Sequence, residues 1–373
     1  MKQEHTGRNR TDFLLPVALR PRTFTPFKIM RNHLFKPLVL TAALALSLHS
    51  ITAADAKKNA KKPAKAKPTG TQWDLMNLGP TFAGGLQVTG GKDIFRPALK
   101  GLSINLGNGA AVCFDTERLR MAIGWQGGFL KLPTGREGLE GVASPVGEVA
   151  FKSEVLPGWA DAGGSFKEPK PPVKDGRELV SFGPLPKQWA KWRGHYLNGR
   201  QVILSYTVGK VGVLELPGFD TASGAFTRTF HFESAAPALK LLLATDTKLK
   251  ATCSLVGAKL GSSPEGWLVL NLPAVPAGST FVVALSASGA QASATTANLP
   301  TLTKGGAAQW MPVIETAGVL GKSDKAYTVD TLTLPDGKAN PWNSWIRTSG
   351  MDFFKDATKA AICSVSGDVW LVS

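Results

Sequence analysis

Between residues 72 and 309, apolar and polar positions alternate in short runs broken by Gly, Pro and Asn. The runs at 102–106, 111–114, 119–125, 189–197, 201–208, 211–216, 227–233, 267–272 and 281–286 have the period of two that places alternate side chains on opposite faces of a strand. No window of 11 or more residues in this region carries a helical apolar period. The 40 Gly and 25 Pro of the chain supply turns for many short strands. The pattern predicts an all-β chain with an antiparallel β-sandwich-like domain over residues 72–310. Residues 155–188, where Pro157, Pro169, Pro171 and Pro172 sit among charges, read as a long surface loop.

The clearest local element is a meander. Asn198-Gly199 between alternating runs is a hairpin signal, and the expected register sets Tyr196 against Gln201 and Arg193 against Leu204. A second tight turn at Gly209-Lys210 sets Leu204 against Glu215 and Tyr206 against Val213, and a longer loop over 217–225 brings Arg228 opposite Glu215. Alternation then puts Val202, Leu204, Tyr206, Val211, Val213, Phe230 and Phe232 on one face, with Arg193, Glu215 and Arg228 in a row across it. Unpaired ions in an apolar row cost several kcal/mol, so these three need partners. Two readings follow: an Arg–Glu–Arg cluster that fixes register, or a polar site at the mouth of the sandwich for an acidic or hydroxylated ligand.

All ten tryptophans lie beyond residue 70. Trp189 and Trp192 flank Lys187, Lys191 and Arg193 next to Tyr196, a grouping that can stack on sugars or pack a sheet with its charges turned outward. Asp115, Glu117, Arg118 and Arg120 bracket a turn and read as a solvated hairpin tip. Cys113, Cys253 and Cys363 are far apart, each within an apolar run, and are expected as buried thiols. They form no C-x-x-C, no C-x-x-C-H and no zinc spacing, and His195 and His231 alone follow residue 56, so no metal site is expected.

Toward the C-terminus, residues 311–341 read as a connector holding an alternating strand over 327–334. Residues 342–373 give strand, turn, strand, a Gly367-Asp368 turn and a last strand, Val369-Trp370-Leu371-Val372. That order matches the start of a propeller blade, which needs roughly 40–50 residues. The 32 residues from Trp342 therefore read as an incomplete first blade, and the chain as the N-terminal piece of something longer.

Charge then changes the picture at the other end. Of 43 Lys+Arg and 27 Asp+Glu, residues 1–70 hold 14 basic and 3 acidic side chains, while residues 71–373 hold 29 and 24. Met30 opens a basic segment, an apolar run over 37–48 and small residues near Ala54 and Ala56, the order of a secretory signal peptide. Residues 1–29 read as an over-long start or extension, 30–56 as the signal, and 57–71 as an extended tether of Lys, Ala and Pro. The expectation is a protein exported to the periplasm or secreted. Cleavage after Ala56 leaves six lysines in the tether, fit to grip a polysaccharide or an anionic cell-surface polymer, and the basic pI gives no reason to expect nucleic acid as partner.

Residues 113–116, 123–130, 183–186, 189–194, 204–209, 215–217, 327–330, 340–342 and 367–370 together resemble an N-terminal β-rich domain of unknown function found in large exported bacterial proteins. In those proteins it precedes a dehydrogenase-like β-propeller, often followed by a c-type cytochrome domain. The resemblance implies a propeller partner, with haem c or quinone supplied beyond Ser373; no cofactor is expected in this chain. It implies no catalytic residue here. Two functions remain open: a non-catalytic module for docking or ligand recognition, and a carbohydrate-binding or sugar-oxidising protein with a cleft of Trp189, Trp192, Arg193, Glu215 and Arg228.

Overall fold

Strict alternation along the chain produces antiparallel sheets throughout. The computed structural model describes residues 75–373 except 91–92, 134–140, 169–172, 176–177, 181–182, 247, 292–296, 323, 325, 336–339, 345 and 366–367. The expected extension, signal segment and tether therefore lie outside the described residues. Strands β1 (Thr81–Gly90), β2 (Asp93–Gly107), β3 (Ala110–Asp115) and β4 (Arg120–Gln126) begin the first sheet. A ribbon of β5 (Leu130–Lys131) and β6 (Ser144–Pro145) precedes β7 (Glu148–Lys152), which completes it in the order β1-β2-β3-β4-β7. A small hairpin, β8 (Val173–Asp175) and β9 (Glu178–Val180), leads to the meander β10 (Ala190–Asn198), β11 (Gln201–Val208), β12 (Val211–Asp220) and β13 (Ala225–Phe232). After β14 (Leu239–Ala244) come β15 (Lys250–Cys253), β16 (Lys259–Ser262), β17 (Leu268–Leu272) and β18 (Thr280–Ser286). The second sheet runs β10-β11-β12-β13-β18-β15 and the third β14-β17-β16. A single helical turn, α1 (Leu299–Leu302), precedes a fourth sheet of β19 (Thr348–Phe353), β20 (Ala360–Ser364) and β21 (Val369–Val372). Among the described residues no helix is long and apolar enough to cross a membrane.

The main core lies between the sheets. Leu102, Ile104, Val112 and Phe114 from the first meet Leu204, Tyr206, Val213 and Phe230 from the second. The opposite faces are covered too: Ala111, Cys113, Ile123 and Trp125 join a second cluster with Leu86 and Leu132, and Ile203, Leu214 and Leu216 pack on Leu299 of α1. β3 is consequently buried along its whole length, which is why its sequence is nearly continuous in apolar residues.

The expected face of the meander is all in the main core, but two registers move by two residues. Asn198 pairs with Gln201 and Tyr196 with Ile203, because Gly199 (φ 58°) is the first residue of the turn and Asn198 stays in β10. The β11–β12 register is as expected, Leu204 opposite Glu215. β12 and β13 extend to a turn between Asp220 and Ala225, so Glu215 faces Phe230 and Arg228 faces Pro217.

Three further expectations are corrected. Residues 155–188 are no mere surface loop: Trp159, Phe166 and Leu185 are buried, and Trp159 bridges to Leu241. Residues 327–334 form no strand; only Thr331 bridges to Val319, and Tyr327 and Val329 remain exposed with no sheet to cover them. Of the three free thiols only Cys113 is buried, since Cys253 sits on edge strand β15 and Cys363 on the outward face of β20.

Candidate functional site: an open cleft beside Trp189

The proposed row of charges divides into two. Arg228 and Glu215 lie on the same face of adjacent strands, one diagonal step apart, and join through two bonds: Arg228 Nε to Glu215 Oε1 at 2.6 Å and Nη2 to Oε2 at 3.1 Å. Tyr206 donates its hydroxyl to Glu215 Oε2 at 2.7 Å from β11. The remaining Arg228 nitrogen, Nη1, has no hydrogen-bond partner, but the guanidinium lies 5.0 Å from the Phe230 ring centroid. Burial, then the neighbouring Glu215 charge, holds the Tyr206 phenol well above its ordinary range. Burial opposes the Arg228 charge, and Glu215 more than reverses it, so the guanidinium stays charged above its usual value. All three side chains are sealed in the core, where no solvent-borne substrate reaches the carboxylate.

Arg193 takes no part in that cluster. β10 bulges between Trp192 and Gly194, whose φ of 133° suits glycine, and the extra residue turns Arg193 outward to an exposed ion pair with Glu233 at 2.6 Å. Trp192 packs inward on Phe114, ring centroids 5.7 Å apart. The four residues expected at a solvated hairpin tip are also corrected. Asp115, Glu117, Arg118 and Arg120 are buried, because Gly158, Glu168 and Leu185 close over their turn: Gly158 N–H donates to Arg118 O, Leu185 N–H to Glu117 O, and Arg118 Nε donates to Glu168 at 3.0 Å. Asp115 caps the turn by accepting from the N–H groups of Glu117 and Arg118, and Arg120 donates to the carbonyls of Ser153 and Pro97. This is a clasp between the first sheet and the overlying segment.

Of the five proposed residues, Trp189 lines a large open cleft that the other four do not line. Its indole N–H donates to Trp159 O at 3.0 Å, which fixes the ring from the core side. The cleft it lines measures about 1060 Å³ and runs between the β11–β12 turn, the start of β14, the end of β17 and the 160–164 turn. Buried Val208, Val211 and Leu272 form its base. Around them stand Asp161, Gln188, Lys210, Ser234, Lys240 and Asn271. Asp161 is held in its turn by accepting the Ser165 N–H at 2.9 Å. The sequence reading missed these polar residues because they come from five separate segments, and only Trp189 stood in a recognisable cluster. Among the described residues no group of three or more His, Cys, Asp or Glu could hold a metal ion.

No curated protein and no solved structure matches the chain. A family model described as a domain of unknown function, DUF6797, matches residues 112–215. That segment starts in β3 of the first sheet and ends in β12 of the second, so it takes in Trp189, Tyr206 and Glu215 and stops short of Arg228. A DUF6797 domain is thus present in the all-β sandwich-like part of the chain.

Proposed function

We propose that this chain is a non-catalytic recognition module of an exported protein, holding a hydroxylated, saccharide-like ligand in the cleft beside Trp189. In this reading it precedes a propeller, and any haem c or quinone chemistry belongs to domains beyond it. The observation that carries the proposal is the division of the polar groups. The paired Glu215 and Arg228 are sealed in the core, whereas the open cleft offers a fixed indole, two amide side chains, a serine and a single carboxylate. Ring stacking together with hydrogen bonds from Gln188, Ser234 and Asn271 is sufficient for binding a sugar. Acid–base cleavage of a glycoside needs two carboxyl groups about 5–9.5 Å apart, and among the described residues Asp161 is the only carboxylate lining the cleft.

Isothermal titration of the purified chain with soluble polysaccharides tests this. Trp189→Ala is expected to weaken binding tenfold or more, and Gln188→Ala with Asn271→Ala, which leaves the core intact, to weaken it severalfold. Unchanged affinity in both variants, or release of cleaved or oxidised sugar by the chain alone, would overturn the reading.

A further inference from the structure

The charges on the cleft wall narrow the ligand class. Lys210 lies in the two-residue turn between β11 and β12, and Lys240 near the start of β14, so one lysine stands on the second sheet and the other on the third. Both side chains are exposed, and among the described residues neither makes an ion pair. Lys240 reaches across toward the facing turn, where a Cβ added at Gly164 would come within 2.9 Å of its Nζ. The nearby acids are already engaged: Asp161 accepts from the Ser165 backbone, and Glu233, beside Gly212, pairs with Arg193. Two ammonium groups from separate sheets therefore share one concave space with Trp189, and against the single carboxylate of Asp161 they leave the described lining with a net positive charge. Like charges held about one cavity repel each other until an anion enters, and concave low-dielectric walls strengthen that attraction.

We propose that the cleft selects an acidic saccharide, with the anionic substituent of the sugar ring placed between Lys210 and Lys240 and the ring against Trp189. This rests on the saccharide reading of the same cleft. A carboxylate and a sulfate ester share the chemistry that two lysines recognise as point charges, so a uronate and a sulfated sugar are both candidates.

The experiment uses the full chain with the six tether lysines from Lys57 to Lys67 changed to Gln, so that the charge of the tether does not contribute. Affinity is measured for polygalacturonate, dextran sulfate and neutral dextran at low and at moderate salt. At least one anionic polymer is expected to bind tenfold or more tighter than dextran, with a preference that shrinks as salt rises. Comparison of the two anionic arms separates carboxylate from sulfate. In Lys210→Gln/Lys240→Gln the preference should fall to near unity while dextran binding stays as it was. Equal binding of all three polymers, or a preference that survives the double substitution, overturns the acidic-ligand proposal and leaves the saccharide reading standing. Binding of none of them overturns both.

Discussion

At the residue scale, the buried Tyr206–Glu215–Arg228 group illustrates how a polar row survives inside an apolar core. Each partner satisfies the next, so the cost of removing one is greater than the net worth of the set. Glu215→Leu leaves a guanidinium and a phenol without acceptors and is expected to lower unfolding stability by about 3–5 kcal/mol. Adding Arg228→Met and Tyr206→Phe removes the stranded groups, and the triple variant should recover most of that loss in urea denaturation. Failure of the triple variant to recover would mean that the pair does more than fix register. Cys113 gives a second test at this scale. Burial pushes its thiol up from 9.0 to about 12. Below pH 9 both folded and unfolded chains hold the proton; between 9 and 12 only the folded chain does, so rising pH favours unfolding. This single group should remove about 1.4 kcal/mol of stability per pH unit in that window. Cys113→Ala is expected to flatten the fall by that slope, read as the difference between the two proteins' stability–pH curves.

At the scale of elements, the strands were legible wherever one face is buried and the other is not, because a period of two then appears directly in the residue types. The meander is the clearest case: every apolar residue assigned to its inner face is in the core, and the β11–β12 register is met residue for residue. The two-residue errors at β10–β11 and β12–β13 preserved the face, since a shift of two leaves parity unchanged. A bulge does not preserve it. The extra residue at Arg193 switches the inward-facing positions of β10 from Ala190 and Trp192 before it to His195 and Leu197 after it, and nothing in an alternating string marks that switch apart from the glycine that follows. The segment 155–188 was misread for the opposite reason. Trp159 and Leu185 anchor this segment to the core, and anchoring depends on contacts far away in sequence. The cleft was hidden in the same way, since Asp161, Lys210, Lys240 and Asn271 meet only through the packing of two sheets against a loop.

At the scale of the whole molecule, the sheets differ in how completely they are covered. The first two are packed on both faces, and β10, at the edge of the second, carries a bulge and the charges of Lys191 and Arg193, devices that discourage pairing with another chain. Among the described residues the fourth sheet is covered on one face only, where Ala360 and Ile362 are buried and Trp370 stacks on Trp310 and packs against Trp342. Its other face presents Val369 at 66% and Leu371 at 64% exposure, beside Cys363. β21 is moreover the last strand of that sheet, straight and uncharged, so its outer edge offers unpaired backbone donors and acceptors next to exposed apolar side chains. Edges of this kind associate unless something covers them. The purified chain is expected to self-associate through β21 as its concentration rises. Val369→Lys with Leu371→Lys places two like charges on the face that would be buried, and light scattering should then report a monomer at concentrations where the unmodified chain is polydisperse. The same pair of substitutions leaves the cleft beside Trp189 untouched, so ligand affinity serves as the control for folding. If the unmodified chain stays monomeric at high concentration, the exposed edge of β21 is not the adhesive surface that its composition implies.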